Sequence, residues 1–223
     1  MNADGYIRLS ATDLTNHLVC HHLTSLDLAV VTHERPAPTW RSPDLWVLQK
    51  RGEEHEAAYL AHLQRAGLSV MNVQEIADED RAWAETCAAM NGGAPVIAQA
   101  TLAHGRWFGR ADVLRRVERP SDLGTWSYEV YDCKLARETK AATVLQLSLY
   151  SDLLAAVQGV LPEWMYVVPP DVDFEAESYR VLDFAAYYRY IKARLEKAVD
   201  AAHGGPPTYP EPNPHCPLCR WWQ

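Results

Sequence analysis

The spacing of apolar and polar residues along the chain predicts a mixed α/β fold. Five segments repeat apolar residues at the spacing of a buried helical face; they are residues 9–31, 44–66, 78–90, 139–157 and 184–202. Shorter apolar segments predict strands; they are residues 68–73, 95–102, 107–117, 126–134, 163–168 and 179–183. The order of these elements indicates an α/β sandwich whose mixed sheet contains a three-strand antiparallel run, rather than a βαβαβ nucleotide fold.

The predicted hairpin of residues 107–134 brings two acidic residues face to face. A turn centred on Asp122 places Asp112 opposite Asp132. Directly opposed side chains have Cβ atoms about 4.5–5.5 Å apart, and like charges there are destabilising unless something compensates them. A divalent cation would compensate the two negative charges. Because side chains alternate along a strand, Lys134 lies on the same face as Asp132.

Two carboxylates and an ammonium group on one face suit the hydrolysis of a phosphodiester bond. Oxygen ligands are those that Mg²⁺ and Mn²⁺ prefer. Lys134 would orient the attacking water or help to deprotonate it, while the metal would stabilise the charge that develops on phosphorus. The alternative is an exposed hairpin with an ordinary cross-strand ion pair. Taken alone, these residues leave both interpretations open.

Four motifs of the sequence resemble the RecB-like branch of the PD-(D/E)XK nucleases. They are RGEEHE at residues 51–56, GRAD at 109–112, YDCK at 131–134 and QLSLY at 146–150. The glycine and histidine of the first match that branch's first motif, GRAD and YDCK match its second and third, and QLSLY matches its QxxxY motif. Each motif falls on the type of element on which the family carries it, and the four follow the family's order.

The resemblance implies roles for the matched residues. The ligands of a Mg²⁺ or Mn²⁺ ion would be His55, Asp112, Asp132 and the backbone carbonyl of Cys133. Lys134 would act on the attacking water. Gln146 and Tyr150 are four residues apart and share a helix face, so they would support the site or touch the DNA backbone.

Composition narrows the function classes. The eleven glycines never fall into a Walker or Rossmann spacing, so a glycine-rich phosphate loop is excluded. A net charge of −8 argues against binding nucleic acid through bulk positive potential. Residues 106–140 depart from that average, with eight basic against six acidic residues. Arg110, Arg137 and Lys140 in this segment are candidate phosphate contacts, and they are equally typical of solvated surface.

The five cysteines fall into two groups. Cys87 and Cys133 lie inside a predicted helix and a predicted strand, as small buried apolar residues do. Cys216 and Cys219 form a CxxC pair after a segment rich in proline, and Cys20 lies far from them in sequence. The chain shows no secretory signal, which argues against a disulfide framework. A CxxC pair by itself fits either a zinc site or a redox pair.

An early cysteine with a late CxxC resembles the iron–sulfur-bearing RecB-like nucleases, including AddB-type subunits and CRISPR-associated exonucleases. The resemblance implies a 4Fe–4S cluster on Cys20, Cys216 and Cys219 that joins the two ends of the domain. The family's fourth cysteine is absent and would follow Gln223, which favours a piece of a longer protein. Otherwise a histidine or a partner supplies the last ligand, and a Cys₃His zinc site is the alternative; the candidate histidines are His21, His22 and His215.

These features together predict one RecB-like nuclease domain over residues 1–223. Residues 44–202 would form a restriction-endonuclease-like α/β core, with a mixed central sheet flanked by helices, and the metal cluster would join residues 1–43 to 203–223. Residues 20–29 and 216–222 look most similar to uncharacterised bacterial RecB-like nucleases, in which a helicase or further nuclease region follows.

The expected activity is Mg²⁺- or Mn²⁺-dependent cleavage of DNA, exonuclease-like on single-stranded or end-exposed DNA, in repair or defence. The alternative is a non-catalytic, metal-stapled DNA-binding module with a vestigial nuclease site. The longest apolar runs have five residues, where about 20 are needed to span a bilayer. We therefore expect a cytoplasmic protein with no membrane partner.

Overall fold

The computed structural model describes residues 7–40, 42–74, 76, 78–171, 173–201 and 208–221. Several sequence predictions extend to other residues. Parts of both cluster-forming ends and the last residue of the predicted 184–202 helix lie outside the described residues, as does Gln223.

A six-stranded mixed sheet, with its strands in sequence order, forms the centre of this described part of the chain. The strands are β1 (Val70–Asn72), β2 (Val96–His104), β3 (Trp107–Val117), β4 (Ser127–Cys133), β5 (Trp164–Val168) and β6 (Glu177–Arg180). The pairs β1–β2 and β4–β5 are parallel, and the other neighbouring pairs are antiparallel. The predicted mixed sheet and the antiparallel run β2–β3–β4 are thus confirmed.

Helices cover both faces of the sheet. They are α1 (Ala11–Val19), α2 (His21–Val31), α3 (Pro43–Arg65), α4 (Glu79–Asn91), α5 (Ala141–Gln158) and α6 (Val181–Asp200). Leu114 and Val130 pack with α5 in the larger apolar cluster, whereas Val113 and Tyr131 pack with α3 in the smaller one. Neighbours on a strand point to opposite faces, so α3 and α5 lie on opposite sides. None of the described helices combines the length and apolarity needed to cross a membrane.

The prediction of one continuous helix over residues 9–31 is wrong, because the chain breaks at Cys20. Cys20 has extended backbone angles, with φ −157° and ψ 109°, and it ends α1 and begins α2. Ser10 and Asp13 form a reciprocal capping box that fixes the start of α1. Two short helices let both Leu14 and Leu28 reach the core, and they leave Cys20 at the corner between them.

The boundary between the last strand and the last helix also differs from the prediction. Strand β6 ends at Arg180, and α6 begins at Val181 without a loop, so the last three residues of the predicted 179–183 strand are helical. Val181 is 3% exposed, which ties the first turn of α6 to the core. Asp183 lies in that first turn, where a negative charge stabilises a helix.

The β3–β4 turn is locked to the end of α5, which fixes the hairpin relative to that helix. Gly159 ends α5 with a φ of +70°, a conformation that favours glycine. A Cβ on Gly159 would lie 1.9 Å from Oδ2 of Asp122 in the turn, so the carboxylate occupies the space that a side chain would need. The backbone N–H of Asp122 donates to the carbonyl of Gln158 at 3.0 Å.

Candidate active site

Strands β3 and β4 pair in the register that the sequence predicts. Val113 faces Tyr131, and Leu114 faces Val130, so one further step along both strands brings Asp112 opposite Asp132. The ladder ends there, because the N–H of Cys133 donates to Oδ2 of Asp112 at 2.8 Å rather than to a backbone carbonyl. The two carboxylates lie close enough for each to affect the pKa of the other.

Asp132 is the most deeply buried group of the site, with no exposed surface. Its Oδ1 accepts a hydrogen bond from Nε2 of Gln146 at 3.0 Å. Its Oδ2 lies 2.7 Å from Nζ of Lys134 as an ion pair, at an angle that leaves this buried oxygen without a hydrogen-bond donor among the described residues. Burial, and then the charge of Asp112, raises the pKa of Asp132. An ionised carboxylate here calls for further positive charge.

Gln146 connects the lysine, the aspartate and the tyrosine of the motif. Nζ of Lys134 donates to Oε1 of Gln146 at 3.2 Å, and Nε2 of Gln146 donates to Asp132 and lies 3.4 Å from the hydroxyl oxygen of Tyr150. Gln146 and Tyr150 are one turn apart on α5, as their spacing predicts. The amide thus orients both partners of the Lys134–Asp132 ion pair.

Lys134 is held as a cation in this arrangement. Burial alone would lower the pKa of its ammonium group, but the carboxylates of Asp132 and Asp112 outweigh burial and raise that pKa. The raised pKa therefore depends on both carboxylates being ionised and close.

His55 approaches the site from α3, on the other side of the sheet. Its Nε2 lies 3.1 Å from the carbonyl oxygen of Val168 at the end of β5. A carbonyl only accepts, so Nε2 carries a proton and Nδ1 is the ring nitrogen left to bind a metal ion. The charge of His55 acts to lower the pKa of Asp112, although burial outweighs it and raises that pKa. His55 is thus within electrostatic reach of Asp112.

Two polar residues that the sequence analysis did not single out complete the site. Glu56 follows His55 on α3, and its Oε1 accepts a hydrogen bond from Nε2 of Gln99 at 2.6 Å. Burial raises the pKa of Glu56, and the charge of Asp112 adds to that effect. Glu56 could have been found as the last residue of RGEEHE, but nothing in the sequence near Gln99 points to it.

The three candidate phosphate contacts are exposed and lie close to the site residues in sequence. Arg110 lies on β3 two residues before Asp112, Arg137 lies between β4 and α5, and Lys140 immediately precedes α5. Cys133 and Cys87 are partly buried free thiols, and burial raises the pKa of both. The two thiols are accordingly protonated, in line with their prediction as small apolar residues.

The three remaining cysteines line one cavity of about 450 Å³, whose lining includes no residue of the four nuclease motifs. Cys20 contributes from the α1–α2 corner, and Cys216 and Cys219 contribute from a short 3₁₀ helix, Cys216–Leu218. His22 and His215 line the same cavity. The side chain of Trp221 holds the C-terminal segment against α2 by donating to Asp27 at 2.9 Å.

No three His, Cys, Asp or Glu side chains of the described part of the chain are arranged to hold a metal ion. The donor types nevertheless fit the two predicted groups. The hard oxygens of Asp112 and Asp132, one of them buried without a hydrogen-bond donor, suit Mg²⁺ or Mn²⁺, and the three thiols suit iron or zinc. The ammonium group of Lys134 already supplies one positive charge next to the carboxylate of Asp132.

The comparison with known families agrees with this site. The family model described as the PD-(D/E)XK nuclease superfamily matches residues 23–223, a range that contains all six strands and every candidate site residue except Cys20, His21 and His22. No curated protein matches the chain in sequence. Because the family model spans most of the chain and includes the hairpin carboxylates, the lysine and the α5 residues, the chain belongs to the PD-(D/E)XK nuclease superfamily.

Proposed function

We propose that the chain is a Mg²⁺- or Mn²⁺-dependent nuclease of the RecB-like branch that hydrolyses phosphodiester bonds in DNA. The observation that carries the proposal is the buried Asp132 carboxylate, which lies across the hairpin from Asp112 and between the side chains of Lys134 and Gln146. Two adjacent carboxylates, one of them fully buried, destabilise a fold unless positive charge compensates them, and a bound cation would add to the charge of Lys134.

The metal ligands in this proposal are His55, Asp112, Asp132 and the backbone carbonyl of Cys133. A bound Mg²⁺ or Mn²⁺ ion supplies Lewis acidity for a phosphoryl oxygen and for the attacking water. The chain's own contribution is orientation. The Cys133 N–H holds Asp112, and Gln146 holds Asp132 and Lys134 in fixed positions.

The role of Lys134 depends on the negative charge of Asp112 and Asp132. While that charge is not neutralised, the ammonium group of Lys134 is a hydrogen-bond donor that positions water or a phosphate oxygen. Positive charge that neutralises Asp112 and Asp132 removes the interaction that raises the lysine pKa, so that burial, which lowers it, prevails. Lys134 then accepts a proton from the attacking water.

The substrate that we propose is single-stranded or end-exposed DNA, cleaved by an exonuclease in repair or defence. The support is the resemblance of the four motifs to the RecB-like branch. Because the net charge is −8, phosphate binding is local in this proposal, through Arg110, Arg137 and Lys140. A helicase or further nuclease region is the proposed partner in a longer protein.

A radiolabelled-DNA assay in Mn²⁺ tests the nuclease proposal. We expect the wild-type chain to degrade linear single-stranded DNA, and the Asp132→Ala and Lys134→Ala variants to lose activity by about 100-fold or more. A circular single strand and an RNA of equal length serve as parallel substrates that reveal endonuclease activity and sugar preference. Activity indifferent to both substitutions contradicts the proposal, and DNA binding without cleavage would indicate the non-catalytic DNA-binding module.

We also propose a 4Fe–4S cluster on Cys20, Cys216 and Cys219, with a Cys₃His zinc site as the alternative. The support is their position around one cavity together with His22 and His215. Anaerobically purified protein should contain iron and absorb near about 400 nm. Cys20→Ser should lose both signals, whereas Cys87→Ser, a substitution of a thiol inside α4, should keep them. Stoichiometric zinc without iron would reject the cluster.

A further inference from the structure

Gln99 adopts an unusual backbone conformation directly opposite Asp112. On either side of it, Ala98 pairs with Val113 and Ala100 pairs with Ala111, so Gln99 faces Asp112 but is absent from the ladder. Its φ is +55°, a left-handed conformation that is costly for a residue with a side chain. Such conformations persist where the surrounding structure requires them, and they cluster at functional sites.

The side chain of Gln99 forms a hydrogen bond with the carboxylate of Glu56. Its Nε2 donates to Oε1 of Glu56 over a short 2.6 Å distance, across 43 residues of sequence. No described side chain or backbone group donates to Oε2 of Glu56, so one oxygen is fixed by the amide and the other is open. The carboxylate of Glu56 lies close enough to Asp112 for the charge of Asp112 to help raise the pKa of Glu56.

Glu56 adds a third carboxylate to the two on the hairpin. Gln99 lies opposite Asp112 in the β2–β3 pairing and holds Glu56 by a hydrogen bond, so Glu56 lies on the Asp112 side of the site. Carboxylate oxygens are the ligands that Mg²⁺ and Mn²⁺ prefer.

We propose that Glu56 is a third carboxylate ligand of the catalytic cation, and that Gln99 is the positioning residue that aims it. This inference rests on the proposed cation-dependent function. The left-handed backbone of Gln99 brings its amide to Oε1 of Glu56, and Oε2 binds the ion beside Asp112. The cation site accordingly draws on α3 twice, through the adjacent side chains His55 and Glu56.

Binding of Mn²⁺ alone, measured by electron paramagnetic resonance of the free ion, tests this without reference to cleavage. Glu56→Gln keeps the shape of the side chain and the acceptor for Gln99, and should weaken Mn²⁺ binding about 10- to 100-fold. Gln99→Gly relieves the backbone strain, so it should not unfold the protein, yet it should weaken binding about 3- to 10-fold. Asp132→Asn should abolish binding.

The matched control is Glu54→Gln, an exposed glutamate on the same helix whose nearest cation is Lys50 at 4.0 Å. Its Mn²⁺ affinity should equal that of the wild type. If Glu56→Gln binds Mn²⁺ as tightly as Glu54→Gln while Asp132→Asn does not bind, the role of Glu56 is refuted and the nuclease proposal stands. If the wild type itself binds no Mn²⁺, both proposals fall.

Discussion

The ring of Tyr150 lies directly against the backbone of Gly109. A Cβ built on Gly109 would come within 2.4 Å of Cε1 of that ring, a distance that real side chains do not reach. The glycine that opens the GRAD motif on β3 therefore makes room for the tyrosine that closes the QxxxY motif on α5. Two motifs that are about 40 residues apart in sequence thus depend on each other through one close contact.

We expect Gly109→Ala to displace Tyr150 and with it the hydrogen-bonded end of Gln146. Overpacking of this kind costs about 1–3 kcal/mol of folding free energy, and cleavage should fall about 10-fold or more. Urea unfolding and DNA cleavage measure the two effects. The double variant Gly109→Ala/Tyr150→Ala removes the collision, so its loss of stability should be smaller than the sum of the single losses. Additive losses would show that the contact is not the cause.

Replacing Lys134 should separate cation binding from cleavage. The ammonium lies 2.7 Å from Oδ2 of Asp132, where it competes with a cation for the same oxygen. Lys134→Met should therefore bind Mn²⁺ more tightly than the wild type and yet cleave no DNA. Lys192→Met, which removes an ion pair of equal length to Asp152 on α5, should alter neither. Weaker Mn²⁺ binding by Lys134→Met would contradict the competition.

On acidification, the affinity for the cation should begin to fall at an unusually high pH. The ligands bind as carboxylates, and burial raises the pKa of both Asp112 and Asp132, so protons compete with Mn²⁺ at a higher pH than for a free aspartate with a pKa of about 4. Affinity measured between about pH 8 and pH 5 should drop steadily. His55→Ala should bind more weakly and should still lose affinity on acidification, because both aspartates remain. An affinity that is constant down to about pH 5 would contradict the account.

In the absence of a bound cation, the ionised form of Asp132 should destabilise the fold at alkaline pH. Its folded pKa is raised by burial and by Asp112, so between about pH 4 and that pKa the folded protein holds a proton that the unfolded chain releases, and stability falls as pH rises. Asp132→Asn should therefore be more stable than the wild type at about pH 8, by about 1–3 kcal/mol, in urea unfolding with a chelator present.

Asp152 provides a control, because its pKa is shifted in the opposite direction from that of Asp132. Burial opposes its ionisation, but hydrogen bonds from Lys192 and Tyr188 outweigh burial and lower its pKa. Its ionised form stabilises the fold at any pH above the unfolded pKa, and that contribution is lost as pH falls through the folded pKa. Asp152→Asn should accordingly lose stability at about pH 8, where Asp132→Asn gains it. Losses in both variants would rule out the proposed charge repulsion at Asp132.

The hairpin could be predicted from sequence because its register depends on local features. Turn-forming residues around Asp122 and the two-residue period of a strand determine which residues face each other, and the observed pairing of Val113 with Tyr131 follows that register. The QxxxY spacing likewise predicted that Gln146 and Tyr150 share a helix face, because helical geometry alone decides it.

The features that the sequence did not reveal depend on contacts between distant segments. The break at Cys20 arises because two short helices pack into the core at different places, although the apolar spacing of residues 9–31 fits one helix. The contact between Gln99 and Glu56 joins β2 to α3 and requires a left-handed backbone at a residue that is not glycine. No local pattern encodes either, since both follow from tertiary packing.

Anomalous X-ray diffraction from crystals soaked in Mn²⁺ would locate the bound cation itself. We expect an anomalous peak between the carboxylates of Asp112 and Asp132, with Nζ of Lys134 moved away from Oδ2 of Asp132. The same soak of Asp132→Asn crystals should give no peak there. Crystals that bind Mn²⁺ only elsewhere, with the Lys134–Asp132 ion pair intact, would contradict this expectation.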